Sequence, residues 1–240
     1  MTDTDADAAA PRPEAVAAPL PAALAAVLDH LVLAGPDLGA AVAHVARLTG
    51  VTAAPGGRHA LGTANALIAF TVAGARGTHY LEIIGPDPEG EQPASAIATF
   101  GIDTLQAPTL SSYAVHADAA APEDIAELAA RGTEAGLPLG VVAAQSRTKP
   151  DGSVLAWSYT APPSRVSPVV PFLIDWGSTA HPGLSELPTL ELVALRGEHP
   201  TPERLRAQLD ALGVPLDLVP GAVPALVATV RGPLGEAELR

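Results

Sequence analysis

Glu82 lies in the run Tyr80-Leu81-Glu82-Ile83-Ile84, and His30 lies in Leu28-Asp29-His30-Leu31-Val32. Each is an ionisable side chain inside an apolar stretch. A carboxylate in such a strand is costly unless it is paired, coordinated to a cation or protonated. Glu82 is therefore read as facing a cleft. The alternative is a structural carboxylate held by an arginine. On its own His30 is read as a core histidine satisfied by a backbone group, with a cleft-lining position as the alternative. Strand alternation places Glu82 on the face of Tyr80 and Ile84, and His30 on the face of Val32.

A second group of residues has the chemistry to complete a site. His59 follows Gly56, Gly57 and Arg58. Glycines let backbone approach a ligand closely, so His59 is either beside a ligand or part of an exposed loop. Asn65 either orients a substrate carbonyl or caps that loop. Asp175 and Trp176 end an apolar strand and precede His181. Asp175 either ligates a metal, orients His181, or opens a turn below a core Trp176. Arg147 and Lys149 are close cations in an acidic chain, suited to a substrate carboxylate or to a solvated hairpin end. Tyr80 and Trp176 offer stacking and apolar contact. No Walker loop, dinucleotide fingerprint, nucleophile elbow or His-Glu-x-x-His helix is present.

Elements that recur along the chain must position these residues. Apolar strands are expected at 28–34, 110–117 and 190–196, each followed by an amphipathic helix. The buried stripes are Leu38, Ala41, Val42, Val45 and Leu48, then Ile125, Leu128 and Ala129, then Leu205, Leu209 and Leu212. Gly50, Gly136 and Gly213 follow these helices and suit the left-handed residue that closes one. Pro122-Glu123-Asp124 and Thr201-Pro202-Glu203 read as helix starts. Further strands are expected at 65–72 and 79–84, at 141–148, 153–160 and 171–176, and at 215–219, 225–231 and 236–239. Pro150-Asp151-Gly152 reads as a turn, and residues 85–106 as a connection. The pattern predicts an α+β protein of repeated βαβββ modules. A disordered Ala/Pro/Asp tail covers residues 1–25. Module one spans 26–106, module two 107–182 and a βαβββ-like module three 183–240. Modules that pair in this way build a cleft, and clefts bind small molecules.

With 240 residues, 48% of them hydrophobic, the chain can bury a sizeable core. A net charge of −13 argues against nucleic acid and against an anionic membrane surface. The absence of cysteine excludes disulfides, thiolate metal sites and a cysteine nucleophile. Asp3, Asp5 and Asp7 stand where a signal peptide carries positive charge, so a cytoplasmic location is expected.

The motifs Leu28-Asp29-His30-Leu31-Val32, Pro55-Gly56-Gly57-Arg58-His59 with Gly62-Thr63 and Asn65, and Tyr80-Leu81-Glu82-Ile83-Ile84 resemble glyoxalase-like members of the vicinal oxygen chelate superfamily. So do Arg147-Thr148-Lys149-Pro150-Asp151-Gly152 and Pro171-Phe172-Leu173-Ile174-Asp175-Trp176 with His181-Pro182. The resemblance covers residues 27–182. It implies paired βαβββ modules curled around a cleft that holds a divalent metal through a first-strand His and a last-strand Glu. Carried over, His30 and Glu82 are the module-one ligands. Module two departs from the pattern, with Ser112 aligned to His30 and Asp175 near the position of Glu82. The resemblance also offers His59 and Asn65 as substitutes for the missing ligand.

The leading expectation is a metal-assisted isomerase, lyase or dioxygenase acting on a small oxygenated substrate. His30, Glu82 and Asp175 would hold the metal, and Glu82 or His59 would move the proton. Asn65, Tyr80, Arg147, Trp176 and His181 would bind the substrate. The rival is a non-catalytic protein of the same fold that binds a drug or metabolite, which the altered module-two ligands favour. Module three lacks an internal partner, and a homodimer would supply one.

Overall fold

The computed structural model describes residues 18–149, 152–161 and 167–240. Residues 1–17 of the expected tail lie outside these, as do Pro150 and Asp151 of the expected turn.

The helices begin and end where local chemistry dictates. Helix α1 is a single turn, Ala22–Ala25. In α2 (Leu38–Thr49) the Asp37 carboxylate accepts the Ala40 N–H at 2.7 Å, satisfying a first-turn donor. In α3 (Ile125–Glu134) Asp124 holds extended backbone and accepts the Ala126 N–H at 2.8 Å. The helix therefore starts at Ile125, after the expected Pro122–Asp124 turn. Pro202 opens α4 (Pro202–Ala211) at a position needing no N–H partner. Gly50, Gly136 and Gly213 have φ of 78°, 86° and 73°, the left-handed conformation expected of them.

The strands of module one are β1 (Leu28–Ala34), β2 (Ala54–His59), β3 (Thr63–Val72) and β4 (Ala75–Pro86). Those of module two are β5 (Thr109–Val115), β6 (Val141–Thr148), β7 (Val154–Ala161) and β8 (Phe172–Asp175). They pair in the order β3-β2-β6-β7-β8-β5-β1-β4, and β4 returns to β3 to close the ring. In both modules the first strand runs parallel to the last: His30 pairs with Tyr80 in β1–β4, and Ala114 with Phe172 in β5–β8. A closed ring satisfies strand edges and encloses an interior.

The third unit repeats the element order with β9 (Thr189–His199), α4, β10 (Asp217–Pro220), β11 (Ala225–Gly232) and β12 (Gly235–Leu239). Its pairing differs. The parallel partner of β9 within the unit is β10, the strand directly after the helix, and β11 lies antiparallel on the other edge. At its start β9 also pairs with β3, Phe70 opposite Leu190, where β2 has ended. This unit therefore extends the wall of the ring.

Alternation divides the core in two. Leu31, Leu33, Leu81, Ile83, Tyr113 and Leu173 point outward and pack with the helices and the third unit. Val32, Ala34, Ile84, Ala114, Phe172 and Ile174 point inward. The connection over residues 85–106 contributes Ile97, Phe100 and Ile102 to this inner cluster through 3-10 turns at Ala94–Ala96 and Thr99–Thr104.

The expected tail ends sooner than residue 25. Leu24 is fully buried, Leu20 packs on the outer core, and the Leu20 N–H donates to the Val193 carbonyl at 2.9 Å. Apolar residues in an otherwise featureless stretch anchor it to the body. Among the described residues no helix is long and apolar enough to cross a membrane.

Candidate functional site

The inside of the ring holds a cavity that opens to solvent. Strand β4 aims Tyr80, Glu82 and Ile84 into it, and β1 adds His30. Strand β3 contributes Asn65 and β6 contributes Arg147. Strand β2 and its turn bring His59, which the sequence left between a cleft and a loop. Trp157, Tyr159, Phe172 and Trp176 build the aromatic wall, with the Trp157 and Trp176 rings 5.4 Å apart.

Glu82 is buried. It accepts a hydrogen bond from Asn65 Nδ2, and its Oε2 lies 3.7 Å from His30 Nε2. His30 stacks on Tyr80 with ring centroids 4.5 Å apart and meets the edge of Phe172. Arg147 is 5% exposed, and its buried Nη1 has no hydrogen-bond partner among the described residues. Burial lowers the guanidinium pKa, while the neighbouring Glu82 and Tyr80 oppose that shift. Asn65 Oδ1 is likewise buried without a partner. The His59 Nδ1 is 2.9 Å from Thr63 Oγ1. Burial lowers the pKa of His59 and Arg147 adds to that, against the attraction of Glu82. Tyr80 is raised well above its ordinary value, first by burial and then by the charges of Asp29 and Glu82.

Behind the cavity lies a group that sequence reasoning missed. Asp29 is fully buried, with Oδ1 2.7 Å from His30 Nδ1 and Oδ2 3.0 Å from both Trp176 Nε1 and His181 Nε2. Burial alone would raise this carboxyl. The hydrogen bonds from His181 and His30 overcome that and hold it well below the usual carboxylate range. His181 thus supports the wall from behind, through Asp29 and through edge contacts with Tyr80 and Trp176. Trp157 and Tyr159 sit at alternate positions of β7, a signal that was available in the sequence.

Asp175 does not join the site. Alternation on β8 turns Phe172 and Ile174 inward and Asp175 outward, where the exposed carboxylate accepts the Gly177 N–H at 2.8 Å. Ser112, opposite Val32, occupies the other position where a ligand was sought. A divalent metal held by N and O donors takes four or more ligands, several of them from the protein. Among the described residues no group of three or more His, Cys, Asp or Glu side chains is placed to hold one. His30 and Glu82 are two donors of such a set, so the residues present do not fit the expected metal site.

His30 thus stands on the first strand and Glu82 on the parallel last strand, with the ring closed around them. The family model for the glyoxalase-like domain matches residues 28–213. The chain belongs to this glyoxalase-like family. No curated protein sequence matches it. Among solved structures, the glyoxalase-like chain is similar to a hypothetical protein from Staphylococcus aureus, with 12% identity, a TM-score of 0.48, and coverage of 88% of this chain and 83% of that one. It is also similar to methylmalonyl-CoA epimerase from Streptomyces coelicolor, with 20% identity, a TM-score of 0.38, and coverage of 62% and 95%. The corresponding epimerase from Mycobacterium tuberculosis gives 18%, 0.34, and coverage of 65% and 89%.

Proposed function

We propose that the cavity binds a small anionic, oxygen-bearing molecule on Arg147 and that Glu82 transfers one of its protons, as in an isomerase or lyase. The observation that carries this reading is the state of Arg147. It is buried, Nη1 is without a partner, and it forms no ion pair with Glu82 within the same cavity. A buried cation in that state is costly, and a ligand carboxylate relieves the cost through charge-assisted hydrogen bonds. The aromatic wall accommodates the rest of the ligand. Glu82, oriented by Asn65, then faces whatever proton the bound molecule presents.

A second reading, a binding protein without chemistry, is favoured by the incomplete metal donor set and by the aromatic lining. A thermal-shift screen of 2-oxo acids, hydroxy acids and catechols separates these. Carboxylates should stabilise the wild type, and Arg147→Met should abolish that stabilisation. Glu82→Gln should keep it and lower turnover by a factor of ~100 or more, the scale of lost general-base catalysis. Carboxylate stabilisation that survives Arg147→Met would overturn the anion site. Binding with no turnover to lose would leave the binder.

A further inference from the structure

We infer that Asp29 is a positioning residue that fixes His30 as its Nδ1–H tautomer, making His30 Nε2 a second proton acceptor beside Glu82. The inference rests on the reading of the cavity as a proton-transfer site.

The argument begins in the backbone. Between β1 and β5, Leu28 pairs with Val115 and His30 with Ala114, so Asp29 is the extra residue of a β-bulge. A bulge re-aims a side chain that strict alternation would send elsewhere. Here it brings the Asp29 carboxylate into contact with the ring of its own neighbour and with two groups from the segment after β8.

The proton positions follow from those contacts. Indole Nε1 is a donor only, so Trp176 donates to Asp29 Oδ2. The His181 Nδ1 accepts the Gly183 N–H at 3.1 Å, so in the neutral ring the proton sits on Nε2 and is donated to Asp29. The carboxylate is therefore surrounded by donors and has no proton of its own to give. At 2.7 Å, His30 Nδ1–H is the remaining donor to Oδ1. The lone pair of His30 is then on Nε2, which faces Glu82 Oε2 at 3.7 Å. Stacking on Tyr80 and the edge of Phe172 holds the ring there.

At 3.7 Å the two acceptors do not share a proton directly; both line the cavity, where a substrate proton is within reach of either. In the step this supports, a substrate O–H or activated C–H bond breaks and its electron pair stays on the substrate atom. The proton passes to His30 Nε2. The imidazolium so formed donates Nδ1–H to Asp29 and Nε2–H toward Glu82. Asp29 stabilises that cation without touching substrate.

Long-range proton–nitrogen NMR of the full chain tests this without a ligand, with the His30 signals assigned by His30→Gln. The expected result is a protonated Nδ1 and a lone-pair Nε2. In Asp29→Asn the amide oxygen is drawn to the Trp176 and His181 donors, and the amide NH₂ faces His30. The His30 proton should move to Nε2, and turnover should drop ~100-fold or more, as when a base is held in the wrong tautomer. A wild-type His30 protonated on Nε2 overturns the inference, as does a folded Asp29→Asn protein with an unchanged tautomer. If that variant does not fold, the wild-type spectrum still decides. Failure of the anion site in Arg147→Met would leave the tautomer result standing, so the two claims fail separately.

Discussion

Gly57 backs directly onto Arg147: a methyl group on Gly57 would stand 2.6 Å from Arg147 Nη1 and 2.5 Å from the Thr148 carbonyl oxygen. The arginine can yield, but the backbone oxygen cannot. One residue earlier, a methyl on Gly56 would stand 2.2 Å from Asn65 Oδ1. The two glycines of β2 thus make room for the two orphaned polar atoms of the cavity. Gly57→Ala should destabilise the fold by about 1–3 kcal/mol, the usual effect of overpacking. It should also abolish stabilisation by carboxylates. Urea unfolding and thermal shift check both. An alanine variant with wild-type carboxylate response would show that Arg147 does not depend on this gap.

His59 predicts a pH dependence of stability. Its pKa in the fold is lowered from 6.5, chiefly by burial. Below pH 6.5 the unfolded chain binds a proton that the folded one resists. Stability should therefore fall as pH is lowered through that range, by at most ~1.4 kcal/mol per pH unit, and His59 adds nothing above it. His59→Gln, which keeps a partner for Thr63, should flatten this slope in urea titrations between about pH 7.5 and 5. Equal slopes for both proteins would remove His59 as the cause.

The chain has two tryptophans, and Trp157 and Trp176 both line the cavity. Intrinsic tryptophan emission therefore reports on this one place. Any carboxylate that raises the melting temperature through the cavity should change that emission over the same concentration range. Stabilisation with unaltered emission at saturation would mean that the ligand sits elsewhere.

Leu24, in the short helix before β1, is fully buried. Leu24→Ala should cost about 2–5 kcal/mol, the cost of a large-to-small change in a packed core. A loss near zero in urea unfolding would show that this turn is not part of the cooperative unit.

The inward face of β4 was legible in the sequence because Tyr80-Leu81-Glu82-Ile83-Ile84 alternates and one polar residue stands out. The same alternation on β8 turns Asp175 outward. The resemblance to a ligand pattern had suggested a residue that the strand period excludes. Asp29 was not legible. Its role depends on a bulge and on Trp176 and His181, both far along the chain. Phe100 reached the inner cluster from a connection without periodicity, and its backbone has φ of 52°, which nothing local signals. The three closing glycines mark the helices equally well in every unit, but they carry no information on which strands pair. The third unit therefore repeats the expected element order, while its pairing differs from that of the first two.

The seams that close the ring are unequal. Along β1 and β5 the two modules are laced from Leu28–Val115 to Ala34–Thr109, but among the described residues β2 meets β6 at Arg58–Thr148 and His59–Arg147 alone. Amide hydrogens at this short seam should exchange with solvent well before those of β1. The short seam is thus the weaker edge of the interior, and Arg147, proposed above as the anion contact, stands on it together with His59.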